Sequence, residues 1–402
     1  MTTHPSSFPP LALSALTAVS AMGAGLAATR AALEERRSGL APSAPEDDLP
    51  GTWVGRVAGL EDVSLPAALE RFTCRNNRLA ELALRSDGFA EAVLAVREHH
   101  GAARIGVVLG TSTAGIAETE AAYRRRAPGE TALPADFDFA GTHDLFSLAR
   151  YVRARLGLRG PAMTLSTACT SGARSFLEGA ALLRTGQCDA VVVGGVDTIC
   201  RMTLQGFNAL ALLAQGPTRP CAADRGGISI GEAGSFALLQ RAEDAPVASL
   251  RLLGAGASSD GHHMSSPHPE GLGAVAAMRA ALDAAGLAPE AIDYVNLHGT
   301  GTRANDAMED RAVSHLFGAA APCSSTKGWS GHTLGASGAL EAAIAAICVE
   351  AGLVPGCLGV ETPDPEFRAD VVTANRHAPV RRVLSNSFGF GGSNCSLIIG
   401  RT

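Results

Sequence analysis

The sequence predicts a layered α/β protein, with helices packed against a sheet of mostly buried strands. Three observations carry that expectation. Apolar strand-like runs alternate with Ala-rich, helix-spaced runs along the chain. Aromatics make up 4% of the 402 residues while glycines number 46, so the layers must approach closely over small side chains. The order strand, small-residue turn, helix also recurs in the two halves, as a duplicated unit would.

The elements follow in order. A buried strand is expected at Ala12–Ser20, then a Gly turn and a helix through Glu35. Leu11 to Thr29 is uncharged and nearly long enough for a membrane span. Ser14, Thr17, Ser20, Gly23 and Gly25 interrupt it, however, and no Lys or Arg precedes it, so neither a span nor a signal peptide is expected. Pro- and Asp-rich Ala41–Gly51 and Ala127–Ala140 read as surface excursions. Further helices are expected at Leu79–His99, Ser171–Arg184, Leu272–Ala285 and Ala339–Ala351. Strands are expected at Ile105–Leu109, Ala190–Gly194, Phe236–Leu239, Tyr294–Leu297 and Leu397–Ile399.

The internal echo is specific. RIGVVLGTSTAGIAETEAAYR (Arg104–Arg124) runs strand, Gly-Thr turn, acidic helix, and so does DYVNLHGTGTRANDAMEDRAV (Asp293–Val313). TLSTACTSGARSFLEGAALLRTG (Thr164–Gly186) matches SSTKGWSGHTLGASGALEAAIAAICVEAG (Ser324–Gly352) in outline. Two pseudo-symmetric halves, 1–245 and 246–402, would bring these turns together near a shared axis.

Composition narrows the function. A net charge of −6 leaves no basic stripe for nucleic acid. The nine cysteines are scattered and odd in number, with no CxxC pair, which argues against a disulfide framework or zinc cluster and for a reducing cytoplasm.

Cys169 stands between a short strand and a helix start, where free N–H groups lower a thiol pKa, and Gly172 allows a tight turn. His298 ends an apolar strand before a Gly-rich loop, a place suited to acid–base or hydrogen-bonding work. Thr300 and Thr302 either satisfy that turn or meet an amide-bearing ligand arm. Lys327, His332 and Glu341 lie among small residues, so they are either exposed or joined in a network. SNSFGFGGSN (Ser385–Asn394) reads as a turn beside a reactive centre, with Phe388 and Phe390 packing or gating.

Two rival motifs are weaker. Gly227-Ile228-Ser229-Ile230-Gly231 fits the serine-hydrolase elbow G-x-S-x-G, but a polar loop precedes it and a strand follows, where the elbow needs strand, turn, helix. His262, His263 and His268 hint at a metal without helical ligand spacing, and a substrate-contacting or surface loop is expected instead.

In this order TACTSG, HGTGT, STKGWSGHTLGASGALE and NSFGFGGSN resemble the elongating β-ketoacyl-acyl-carrier-protein synthases of the KAS I/KAS II type, from about Arg104 to the C-terminus. The resemblance implies a thiolase-like fold, two βαβαβαββ halves in a five-layer α-β-α-β-α sandwich, and a homodimer. It implies Cys169 as the nucleophile and His298 and His332 as the pair binding the malonyl thioester carbonyl. Lys327 would order the site with Glu341 supporting it. Phe390 would gate the site and share an oxyanion hole with the Cys169 N–H. Thr300 and Thr302 would contact pantetheine, and Thr113, within Thr111–Ala114, the acyl group. No metal or redox cofactor is implied.

The implied partner is an acyl carrier protein. It is acidic, so it would dock on Arg71, Arg75 and Arg78, or on Arg124, Arg125 and Arg126. The chain departs from the pattern at Cys221, where an aromatic is usual, and at Gly226, where an acid is usual. With TCRNNRLAELAL and CDAVVVGGVDTICRMTLQGFNAL, this looks closer to synthases of aryl-polyene or pigment-type bacterial pathways. A chain-length-factor-like subunit is the non-catalytic alternative. Cys169 with both histidines argues against that identity, while a partner of that kind stays open. A degradative thiolase is disfavoured because its C-terminal reactive-cysteine motif is not apparent.

Overall fold

The computed structural model describes residues 9–245 and 247–401. Its principal strands are β1 (Leu11–Ser20), β2 (Ile105–Gly110), β3 (Ala162–Leu165), β4 (Ala190–Asp197), β5 (Ala233–Arg241), β6 (Arg251–Ser259), β7 (Tyr294–Asn296), β8 (Pro322–Ser324), β9 (Arg382–Gly389) and β10 (Ser393–Gly400). Their spatial order is β3-β2-β4-β5-β1-β6-β10-β9-β7-β8, with Asp370–Val371 outside β8. β2 lies parallel to β3 and β4, and β7 lies parallel to β9 and β8. The strands between these groups are antiparallel. Apart from Asp370–Val371 the order reads the same from either end, and the two halves meet where β1 pairs briefly with β6 at Leu11–Leu252 and Ala12–Arg251. Each member of the sequence echo occupies the mirror position of its copy: β2 matches β7, and β3 matches β8.

Helices α1 (Leu26–Glu34), α2 (Arg75–Arg85), α3 (Phe89–His100), α4 (Ile116–Arg124), α5 (Ser147–Arg155), α6 (Ser171–Arg184), α7 (Arg201–Ala209), α8 (Leu272–Ala285), α9 (Arg303–Phe317), α10 (Lys327–Ser330) and α11 (Ser337–Ala351) complete the frame. α6 and α11 touch each other and strands of both halves, so they form the central layer. α2, α3 and α5 cover the outer face of one half, and α8 and α9 cover the other. The layers are α-β-α-β-α. β2 and β4 are buried at every position, as parallel strands covered on both faces should be.

Small residues set the central spacing. A Cβ on Gly172 would lie 2.8 Å from the Gly335 carbonyl oxygen, and one on Gly338 would lie 2.6 Å from the Ala173 Cβ. Gly172 thus serves the α6–α11 contact rather than the turn before α6, where Ala168 takes the left-handed conformation at φ 52°.

Three sequence expectations change. Leu79–His99 is two helices, because Asp87 (φ 57°) and Gly88 (φ 68°) turn the chain between them. Asp87 also accepts the Leu26 N–H at the start of α1. SNSFGFGGSN is mostly strand, and its turn shrinks to Phe390–Gly392 between β9 and β10. β6, RLLGAGASS, lacks the apolar signature of a strand because its small residues serve helix packing: a Cβ on Gly254 would lie 2.3 Å from the Ala281 carbonyl oxygen. The apolar helical stretch Leu334–Ala351 is 89% buried inside the fold.

Candidate active site

The two echoed turns converge across the central layer. Cys169 lies just before α6 at 8% exposure, and its Sγ is 3.0 Å from His332 Nε2. His298, from the end of β7, sets its ring edge-on to that of His332 with centroids 5.2 Å apart. Sγ and one nitrogen of each ring lie within 4.8 Å of one another.

Hydrogen bonds define the proton positions. His332 Nδ1 accepts the Leu334 N–H at 3.2 Å, so in the neutral ring Nε2 carries the hydrogen and directs it at Sγ. His298 Nδ1 faces the donor-only Lys327 Nζ at 3.4 Å, which likewise leaves the hydrogen on Nε2. Burial, and next the charge of Lys327, hold both imidazoles well below the usual histidine pKa. The site therefore presents two neutral N–H donors. Contrary to the lowered pKa expected at a helix start, burial pushes the Cys169 thiol up to about 12, against the opposing pull of Lys327.

Lys327 and Glu341 are both buried. Nζ donates to Glu341 Oε1 at 2.5 Å and to the His298 carbonyl oxygen at 2.5 Å. Burial raises the Glu341 carboxyl to about 7, with Lys327 opposing the rise. Of the two alternatives the sequence leaves open, exposure or a network, these residues form the network.

Sequence reasoning missed the carboxylates beneath the loops. Glu309 on α9 accepts the His298 and Gly299 N–H groups at 2.8 Å each, and burial lifts its pKa to about 7. Asp306, one helical turn earlier, accepts from Thr300 and Gly301. Their i, i+3 spacing in RANDAMEDRAV was the available signal. Asp197, at the end of β4, takes N–H and hydroxyl donors from Ser112 and Thr113 and the N–H of Gly335, tying the first-half loop to the His332 turn.

Two cavities meet at Cys169. One, of about 430 Å³, is lined by Cys169, both histidines, Thr300, Thr302, Phe388 and Phe390. The other, about 300 Å³ and largely apolar, is lined by Ser112, Thr113, Phe207, Leu210, Leu334 and Phe390. Phe390 borders both, is 37% exposed, and packs on Phe207 with centroids 5.7 Å apart. Phe388 is buried against the His298 ring. The backbone leading into Phe390 runs beside the nucleophile, since a Cβ on Gly389 would lie 3.1 Å from the Cys169 nitrogen. Thr113 lines the apolar cavity, but its hydroxyl is engaged by Asp197 and by the Thr198 N–H.

Other sequence candidates fall elsewhere. Ser229 Oγ accepts the Thr218 N–H at 3.0 Å, and the Ser229 carbonyl accepts the His332 N–H, so this serine is a structural link. His263 and His268 use Nδ1 to accept N–H groups of their own loop, from Ser265 and Glu270. Among the described residues the only cluster of three with metal-ligand proximity is Cys169, His298 and His332. All nine cysteines are unpaired and buried.

Of the docking arginines, Arg75 and Arg78 are engaged internally and do not form an open basic face. Arg75 is an internal strut, bonded to buried Glu232 at 2.7 and 2.8 Å and also to Glu61. Arg78 is spent on the Glu61 and Val63 carbonyls. Arg71 pairs with Asp138, and Arg125 with Asp136. Arg124, Arg125 and Arg126 are exposed.

Family models for the "Beta-ketoacyl synthase, N-terminal domain" and "Beta-ketoacyl synthase, C-terminal domain" match residues 66–245 and 250–361. The chain belongs to the β-ketoacyl synthase family. Its members are acyltransferases, and the condensing-enzyme reading of the motifs agrees with this. A 3-oxoacyl-[acyl-carrier-protein] synthase 2 of Rhizobium meliloti is 36% identical over 74% of this chain and 74% of its own length. The mitochondrial 3-oxoacyl-[acyl-carrier-protein] synthase of Arabidopsis thaliana is 38% identical over 62% of this chain, a match that takes in only 58% of the plant protein. Among solved structures, a ketosynthase (ApeO) in complex with its chain length factor (ApeC) from Xenorhabdus doucetiae superposes with a TM-score of 0.91, at 36% identity and full coverage of both chains. That likeness agrees with the thiolase-like fold implied by the motifs.

Proposed function

We propose that the chain loads an acyl group onto Cys169 and extends it by two carbons with a malonyl unit carried on an acyl carrier protein. The observation that carries this reading is the Cys169 thiol 3.0 Å from His332 Nε2, with a second neutral imidazole edge-on beside it.

Acyl transfer comes first. Sγ attacks the thioester carbonyl, the carrier thiol departs with the thiol proton, and the α6 N-terminus and the His332 N–H stabilise developing thiolate charge. The transient oxyanion is held by the Cys169 and Phe390 N–H groups. In the second stage the malonyl carboxylate leaves as CO₂. The resulting enolate oxygen accepts hydrogen bonds from the Nε2–H groups of His298 and His332. The enolate carbon attacks the Cys169 thioester, the C–S bond breaks, and the thiolate regains a proton. Atoms and electrons balance without a metal or redox cofactor. Thr300 and Thr302 line the wall along which the pantetheine arm would run.

A second chain belongs to this reading. β3 leaves one sheet edge unpaired among the described residues, and Tyr123, Met202 and Leu210 on and after the touching helices α4 and α7 are more than half exposed. Leu210 also lines the apolar cavity, so a neighbour there would close it. The likeness to a ketosynthase solved with a chain length factor favours a homologous partner of that kind over an identical copy. A reducing cytoplasm suits the free thiols.

The test uses purified protein with malonyl-carrier protein and a panel of acyl primers, read by mass spectrometry. A β-ketoacyl product is expected from wild type and none from Cys169→Ala, with iodoacetamide labelling Cys169. Full activity in Cys169→Ala would sink the proposal.

A further inference from the structure

The larger cavity at Cys169 has an uneven charge lining. Although the chain carries a net charge of −6, among the described residues no Asp or Glu lines this cavity, whereas Arg225 and Arg303 do. The two cations differ. Arg225 is 3% exposed and ion-paired, with Nη1 on Asp364 at 2.6 Å and Nε 3.6 Å from Asp306 without a hydrogen bond. Arg303 is exposed at the first residue of α9, its charge helps to lower the Asp364 carboxyl, and among the described residues its guanidinium has no hydrogen bond or ion pair. It directly follows Thr302, whose hydroxyl lies 3.0 Å from that of Thr300. The wall of this cavity thus combines the thiol and imidazoles with threonine hydroxyls and a guanidinium that has no hydrogen-bond partner among the described residues.

Position 226 completes the pattern. Gly226 is exposed and lines the same cavity, and a Cβ built there meets nothing within 4 Å. Its conformation does not require glycine, and there is room for a side chain. Glycine here adds no negative charge to the cavity wall, where a carboxylate would compete with an anionic ligand.

We propose that Arg303 binds the phosphate at the far end of the thioester-bearing arm, the 4′-phosphate of phosphopantetheine, and that Gly226 keeps this site free of competing negative charge. The proposal rests on the condensing-enzyme reading and names the group that recognises the arm outside the threonines. A guanidinium suits phosphate by charge and by its fork of N–H donors. The phosphate is common to carrier-bound arms and coenzyme A, so both donor types should feel the residue.

The experiment compares acyl-pantetheine, acyl-phosphopantetheine, acyl-coenzyme A and acyl-carrier protein as donors, with Cys169 acylation read by intact-protein mass. For wild type, kcat/KM is expected to favour acyl-phosphopantetheine over acyl-pantetheine by roughly tenfold, the scale of one partly solvated charge-assisted contact. Arg303→Ala should collapse that ratio towards one, Arg303→Lys should keep part of it, and Gly226→Asp should lower it with Arg303 intact. Acyl-coenzyme A and acyl-carrier protein should lose a comparable factor in Arg303→Ala. An unchanged ratio in Arg303→Ala, or no phosphate preference in wild type, overturns the site, and an unchanged ratio in Gly226→Asp overturns the role of Gly226. Failure of every donor to acylate wild-type Cys169 overturns the condensing-enzyme reading itself, and the site with it.

Discussion

Lys327→Ala tests the electrostatics that keep the histidines neutral and oriented. Nζ lies 2.5 Å from Glu341 Oε1 and 2.5 Å from the His298 carbonyl oxygen, and the side chains of the ion pair are 2% and 4% exposed. Removing the ammonium leaves a buried carboxylate without its counter-charge, a change that costs about 3–5 kcal/mol when the carboxylate stays ionised. Glu341 escapes part of that cost by holding a proton. Burial already lifts its carboxyl to about 7 against the opposing pull of Lys327, so the variant's carboxyl titrates higher still. The sign follows from proton counting. Below pH 7 native Glu341 is protonated in both proteins and the deficit is small. Above pH 7 the wild-type carboxyl ionises while the variant's native state keeps a proton that its unfolded state has released. The variant then loses stability relative to wild type by about 1.4 kcal/mol per pH unit, reaching roughly 3 kcal/mol near pH 9. Urea melts from pH 6 to 9 on wild type, Lys327→Ala, Glu341→Gln and the double variant measure this. The double variant should recover most of the loss. A deficit that does not change with pH, together with a double variant no more stable than Lys327→Ala, would refute the reasoning.

Three further outcomes follow from the geometry. Glu309→Gln has one carbonyl oxygen for two N–H groups, so it should lose about 1–3 kcal/mol and slow malonyl decarboxylation roughly tenfold with Cys169 acylation nearly retained; equal loss of both steps would contradict the His298-loop role. Gly389→Ala sets a methyl 3.1 Å from the Cys169 nitrogen, and single-turnover acylation should slow by roughly two orders of magnitude, so a wild-type rate would remove that N–H from the oxyanion hole. Ser229→Ala should condense at the wild-type rate and lose only about 1 kcal/mol from the Thr218 hydrogen bond, whereas loss of activity at wild-type stability would revive the hydrolase reading.

The motifs were legible because each places rare chemistry in a run of small residues. One cysteine at a helix start and two histidines in Gly-rich turns stand out locally, and the echo between halves told which turns should meet. The alternation of buried runs likewise announced α6 and α8 with their observed limits, because periodicity is a local property. Where packing dictated composition, the local signal failed. β6 carries glycines because α8 presses on it, and Gly172 is small because α11 passes there, so neither residue reported its own element.

The sequence by itself determined the fold class, the family and the identity of the groups around the thiol. Only the tertiary structure decided what those groups can do. It assigned the histidine tautomers through Leu334 and Lys327, and it placed Glu309 and Asp306 beneath the loops. It also sorted the cations, sinking Arg75 and Arg225 into carboxylate pairs and leaving Arg303 exposed on the cavity wall. The reason is that a charge's role depends on burial and on its nearest counter-charge. Both are set by residues far away in sequence, as with Arg75 and Glu232 or Arg225 and Asp364.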